Sequence, residues 1–251
     1  MNRTKHSPAG MAKALVPLEL AFESALAEAA QGETPHTLFA PLHYESGYAY
    51  PLIVWLHGPG WDERHLLRIM PLVSMRNYVA IAPRGTSLGV DGKSVFGWEQ
   101  TPDGLIEAEQ RIFACVQTAQ RKLHVAPHRV FLAGFDAGGT MAFRLALEHP
   151  EVFAGALSLC GAFPTGGTPF RNLTQARRVP LFLAAGRDSA VYPAEQVCQD
   201  LRLLHSAGMS ITLRQYPCAH EIAPQMLTDV DRWVIEQITA PNYQPVESVI
   251  D

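Results

Sequence analysis

Residues 50–58 read YPLIVWLHG, an unbroken apolar run that stops at a histidine and a glycine. A strand with one wet face alternates apolar and polar side chains. A run that is apolar at every position suits a strand covered on both faces. The form returns in YVAIAP (78–83), RVFLAGF (129–135), AGALSLCG (154–161) and VPLFLAAG (179–186), and less purely in HTLFAPL (36–42) and SITLRQYP (210–217). Helical stretches lie between these runs. One opens at Thr101 and Pro102, a cap followed by a first-turn proline, and continues to about 122. Leu105, Ile106, Ile112, Phe113 and Val116 form its apolar side. Others are expected over 138–148, over 194–208 with Gly208 as the C-terminal stop, and over 221–238. Strands alternating with helices predict an α/β fold, with a mostly parallel central sheet and helices on both faces. Ligands of such sheets sit beyond the carboxyl ends of the strands.

The chain has 251 residues, 47% hydrophobic and 18% charged, which suits one such domain with a large core. The domain is expected over 36–240, after a lead-in segment (1–35) of helical composition at 18–30 and before a polar tail (241–251). The formal net charge is −4 and no basic stripe appears, which argues against nucleic acid as a partner. No apolar run approaches the ~18 residues of a transmembrane helix. Lys13 and Glu19 interrupt the N-terminal stretch, so no secretory signal is read there. Cys115, Cys160, Cys198 and Cys218 are scattered and form no CxxC pair. They suit reduced, mostly buried thiols of a cytoplasmic protein. No His/Cys cluster has metal-ligand spacing, and neither a metal nor a cofactor is expected. The expected partner is a small-molecule substrate, and association with further copies of the chain stays open.

Four features fall at strand ends. GFDAGG (134–139) joins a strand to a helix with no linker. Such a turn needs strained backbone at its centre, and glycines at 134, 138 and 139 leave room for it. The side chain of Asp136 is pushed out over the sheet, beside a helix N-terminus that favours an anion. Asp188 follows the apolar strand in LAAGRDSAVYP (183–193), and His220 follows the last strand in YPCAHE (216–221). An imidazole carries protons near neutral pH, and a carboxylate can fix its tautomer. WLHGPG (55–60) ends another strand, in a loop able to offer backbone N–H groups to a developing oxyanion.

These pieces resemble the α/β-hydrolase superfamily, in particular its carboxylesterase/phospholipase branch, which includes acyl-protein thioesterases. LHGPG is similar to that branch's HGxG loop and GFDAGG to its GFSxGG elbow. GRDSAVYP resembles the acid loop, and AHEIAPQMLTDVDRWV the histidine segment with its closing helix. The resemblance covers residues 52–235. It implies hydrolysis of a small or lipid-like ester, with Asp136 at the nucleophile position, Asp188 as orienting acid and His220 as general base. The N–H of Ala137 remains as an oxyanion donor, with Gly60 as a substitute donor in the HGPG loop, and Trp98 is a candidate substrate contact. The short 162–178 segment implies an open cleft without a cap domain.

Two positions depart from the pattern. Asp136 stands where the branch has serine. Aspartate has no hydroxyl proton to give up, and its attack on an ester carbonyl would make a high-energy mixed anhydride. Attack on saturated carbon would give an ordinary ester, as in the haloalkane dehalogenases and epoxide hydrolases that the superfamily also contains. Those enzymes usually carry Trp after the nucleophile, where Ala137 stands, and a cap domain. Their halide cradle would have to come from Trp55, Trp61 or Trp98. The second departure is Pro59, which lacks the N–H that the residue after HG contributes. Losing one such donor costs about 3 kcal/mol of transition-state stabilisation. Asp136 therefore admits three readings: a working nucleophile, a relic on a pseudo-hydrolase that binds without turnover, or a laboratory Ser→Asp change; alternatively His220 activates a water that Asp136 places. His57 is read as structural. Trp98 is open between cleft and core. Cys160 and Cys218 are read as buried small hydrophobes, and Asp62 and Glu63 as surface acids at a helix start.

Overall fold

Strand Tyr50–Leu56 (β2) is buried at all seven positions. Its alternate side chains feed two separate cores: Leu52, Val54 and Leu56 point to one, Ile53 and Trp55 to the other. Burial on both faces is what the unbroken apolar run requires. A computed structural model describes residues 34–89 and 95–240, and these described residues form one compact unit. The expected lead-in before residue 34, with its stretch of helical composition, and the tail beyond 240 lie outside the described residues.

The remaining strands are His36–Phe39 (β1), Val79–Pro83 (β3), Thr86–Ser87 (β4), Phe96–Gly97 (β5), Val125–Phe135 (β6), Gly155–Leu159 (β7), Leu181–Gly186 (β8) and Ile211–Tyr216 (β9). Seven form the main sheet, in the order β1-β3-β2-β6-β7-β8-β9. All pair in parallel except β1, which runs antiparallel to β3 at the edge. The helices are Leu66–Val73 (α1), Pro102–Lys122 (α2), Ala137–Glu148 (α3), the single turn Leu173–Ala176 (α4), Ala194–Ser206 (α5) and Pro224–Thr239 (α6). Helices α2, α3 and α5 cover one face of the sheet, and α1 and α6 the other. None of the described helices is long and apolar enough to cross a membrane.

The expected elements occur, with differences that have local causes. Thr101 caps α2, its Oγ1 accepting the Gly104 N–H at 3.2 Å. Ile106 is exposed, not part of the apolar side of α2. Strand β6 begins four residues earlier than its apolar run, because Val125, ahead of the polar His128 and Arg129, pairs with Tyr50 at the sheet's end. Helix α1, with Pro71 inside it, follows the helix start expected at Asp62 and Glu63; the small β4–β5 ribbon was not expected. The expected loop 162–178 contains the one turn of α4.

Candidate functional site

The elbow between β6 and α3 is built by sterics. Asp136 sits at φ 52°, ψ −122°, a region that side-chain-bearing residues seldom occupy and that costs about 1–3 kcal/mol. Its neighbours over-determine it. A Cβ on Gly134 would lie 2.5 Å from the Gly138 backbone. One on Gly138 would lie 2.3 Å from the Leu56 carbonyl oxygen, and one on Gly161 2.3 Å from the Asp136 carbonyl oxygen. The Asp136 N–H donates to Leu159 O at 2.9 Å, and Asp136 O accepts from Thr140 N–H at 3.0 Å. The carboxylate is left partly exposed at the carboxyl end of the sheet.

His220 lies in the loop between β9 and α6, against the Phe135 ring (centroids 5.3 Å apart). Its Nε2 is 3.3 Å from Asp136 Oδ1, with the imidazole and carboxylate side chains 17% and 26% exposed. The approach is a charge contact, not an aligned hydrogen bond: Nε2 is buried and its hydrogen-bonding capacity is unspent. On the other edge of the ring, Nδ1 faces Ser189 Oγ at 3.2 Å. Ser189 is 5% exposed, and its Oγ accepts the Tyr192 N–H at 3.0 Å. The Tyr192 hydroxyl donates to Asp200 Oδ2 at 2.7 Å. The buried Asp200 also accepts from the Phe163 N–H and the Gln196 amide.

Asp188 takes no part in this contact. Its side chain is 65% exposed beside Arg187, at 3.7 Å. Its backbone N–H donates to Cys218 O at 3.0 Å. Residues 188 and 189 point to opposite sides of one turn, so the neighbour of the expected acid meets the histidine. In a serine triad the hydroxyl faces Nε2 and the carboxylate faces Nδ1. Here the two groups have changed ends. No pattern in the sequence separates Ser189 from its neighbour Asp188, because the turn that orients them is set by distant hydrogen bonds.

The 57–61 loop is held from below. His57 is fully buried; its Nδ1 donates to Gly58 O at 2.9 Å and its Nε2 accepts the Gly85 N–H at 3.0 Å. Those roles require the neutral ring, and burial is the first cause that lowers its pKa below 6.5. Trp98 is 4% exposed and donates its indole N–H to His57 O at 2.9 Å. It therefore props the loop, with its one polar handle committed to that contact. Asp62 accepts the Arg64 N–H, as a helix-start acid should. Glu63, expected at the surface, is buried and paired with Arg84 through two contacts of 2.6 and 2.7 Å. Among the described residues neither the N–H of Ala137, at the start of α3, nor that of Gly60 donates to a backbone group. Trp55 is buried and Trp98 is bound to the loop, so the three tryptophans do not assemble a halide cradle.

Cys160 is buried at the end of β7, its Sγ 3.6 Å from Glu221 O. Burial pushes the thiol up to about 11, which keeps it protonated and poorly nucleophilic. Cys218 is half-buried and Cys198 exposed. Among the described residues no three His, Cys, Asp or Glu side chains converge as a metal site.

A sequence profile of the phospholipases and carboxylesterases matches residues 45–238. The chain belongs to the phospholipase/carboxylesterase family of α/β-hydrolases. Among solved structures, this family member resembles a Bacillus cereus carboxylesterase at 15% identity, with a TM-score of 0.63 over 85% of this chain and 99% of that one. It resembles a Mesorhizobium loti carboxylesterase at 22% identity and TM-score 0.64, over 82% and 96% of the two chains. Acyl-protein thioesterase 2 of Zea mays aligns at 18% identity and TM-score 0.61, over 82% and 99%. These likenesses establish the fold. NocK, an esterase candidate of Nocardia uniformis subsp. tsuyamanensis, is 32% identical over 124 residues. That match spans 46% of this chain and only 34% of NocK.

Proposed function

We propose that the chain hydrolyses a small or lipid-like ester by direct attack of water, with Asp136 as general base and His220 as general acid. One observation carries this reading: a carboxylate and an imidazole 3.3 Å apart, with Nε2 holding no hydrogen bond. The serine route finds no support. The elbow has no hydroxyl, and the hydroxyl that does face the ring is buried on the Nδ1 side.

The route starts from Asp136 as a carboxylate and His220 with a proton on each ring nitrogen, Nδ1–H donating to Ser189 Oγ. A water beside Asp136 gives its proton to the carboxylate while its oxygen bonds to the ester carbonyl carbon. The carbonyl oxygen becomes an oxyanion facing the N–H groups of Ala137 and Gly60. Collapse breaks the bond to the alcohol oxygen, which takes the Nε2 proton of His220. Transfer of the proton from Asp136 to His220 restores the pair, so water and ester become acid and alcohol with nothing left over. Positioned acid–base groups of this kind contribute on the order of 10²–10⁴ in rate.

A second reading is a binding protein without turnover, motivated by Pro59, which withholds an oxyanion donor. A panel of p-nitrophenyl esters separates the two. Hydrolysis by the native chain, lost in Asp136→Ala, supports catalysis. Hydrolysis that appears only in Asp136→Ser sinks it and supports a disabled site. Single turnover in H2-18O places the label in the product acid by the direct route. Label in the Asp136 carboxylate would instead mark attack by Asp136 itself. The four cysteines are free thiols, which supports a reducing, cytoplasmic setting.

A further inference from the structure

Beside the 57–61 loop lies a cavity of about 360 Å³, within the size range of small-molecule sites. Gly60, Trp61, Arg64, His65, Arg68 and Phe96 line most of it. Its charge balance is uneven. Glu63, the nearest buried acid, is consumed by its two-contact pair with Arg84, leaving Arg64 only a loose 3.9 Å approach to the same carboxylate. Arg68 has no hydrogen bond or ion pair among the described residues. Asp62 is the one carboxylate in the lining, and its Oδ1 already accepts the Arg64 N–H at 2.9 Å. Two guanidinium groups thus face one engaged carboxylate.

The aromatic part of the lining is ordered. The Trp61 ring stacks on His65 at 3.8 Å, and His65 Nδ1 is buried without a hydrogen bond. Burial, then the Arg68 charge, lowers His65 to about 4, so the ring is neutral at pH 7 and adds no charge of its own. Trp61 also connects the cavity to the site. Its ring lies 5.4 Å from Phe135, and Phe135 lies 5.3 Å from His220.

We infer that this cavity is a subsite for an oxyanion, a carboxylate or phosphate carried on a flat group, which stacks on Trp61 and is held by Arg68 and Arg64. Guanidinium presents a planar fork of donors that matches both anions. A guest here would leave its far end at Gly60, on the loop whose Trp61 leads through Phe135 to His220. The substrate class that follows is an acidic ester, negatively charged on the side away from the bond to be cut. That last step rests on the proposed hydrolysis; the binding of the anion does not.

The test therefore reads binding without turnover. The full chain is titrated with benzoate, phenyl phosphate and neutral benzamide, followed by calorimetry and by tryptophan emission. At least one anion should bind, with benzamide about tenfold or more weaker, since a hydrogen bond to a charged group contributes about 1.5–3 kcal/mol. Benzoate alone, phenyl phosphate alone or both would name the anion and support the subsite. Arg68→Gln should weaken the anion about tenfold, and raised salt should weaken it too. Arg64→Gln serves as the second variant; both side chains are exposed, so thermal melts should match the native chain. Equal binding of benzamide, no binding of either anion, or native affinity in both variants would overturn the subsite. Anion binding that survives in a chain inactive on every ester would leave the subsite standing and remove only the hydrolase reading.

Discussion

Two segments flank His220, and they are specified in different ways. The elbow at 134–139 is fixed by backbone collisions. Gly134, Gly138 and, from the β7 end, Gly161 leave no room for a Cβ, and residue 136 is forced into a strained turn whatever its side chain. The 187–193 turn is fixed by side-chain chemistry. Ser189 takes the Tyr192 N–H, Tyr192 binds Asp200, and Asp200 ties in Phe163 and Gln196. The contrast teaches why the elbow can hold a carboxylate in a serine's place. A frame made of sterics does not read the functional group it displays, whereas a hydrogen-bonded turn does.

The sharpest way to break the comparison is at residue 136 itself. Asp136→Gly should cut ester hydrolysis by about 10²–10⁴ while raising stability by about 1 kcal/mol, because glycine accepts that backbone without strain. Activity assays and thermal melts on one preparation would show both, and a destabilised, active variant would refute the steric account. Next in size, Gly138→Ala should lose roughly 3 kcal/mol or more through its collision with the Leu56 carbonyl. Urea melts would measure the loss, and a native-like melt would end the claim.

On the other flank, Ser189→Ala should cost about 1–2 kcal/mol by stranding the Tyr192 N–H and His220 Nδ1. Asp188→Ala should stay within about 0.5 kcal/mol, as surface changes do. If Asp188→Ala alone impaired activity, the exposed acid would have a role that its position does not suggest.

The smallest effect lies at the far end of α3. His149 contacts Glu109 at 2.7 Å and Glu151 at 3.7 Å. Burial opposes its charge, but the Glu109 hydrogen bond and the Glu109, Glu151 and Glu148 charges outweigh burial and raise its pKa above 6.5. A raised folded-state value means the charged form stabilises the fold. That contribution is complete below pH 6.5 and fades as pH rises through the higher folded-state value. The stability gap between the native chain and His149→Asn should narrow in that direction; a gap that widens with pH would contradict the assignment.

What the sequence determined by itself was the frame. Unbroken apolar runs require strands buried on both faces, glycines around 136 require a tight strand-to-helix turn, and the chain order brings 136 and 220 to the same edge of the sheet. These are consequences of burial and backbone sterics, which act locally and leave a pattern in the residues. Only the tertiary structure decided that Ser189 and not Asp188 meets the imidazole, that Trp98 and His57 brace each other beneath the loop, and that Arg64 and Arg68 share a cavity. Adjacent loop residues face opposite ways according to dihedral angles that distant hydrogen bonds impose. A tryptophan shows in sequence neither which carbonyl will take its N–H nor whether water will reach its ring. Those outcomes depend on partners tens of residues away, and no local pattern records them.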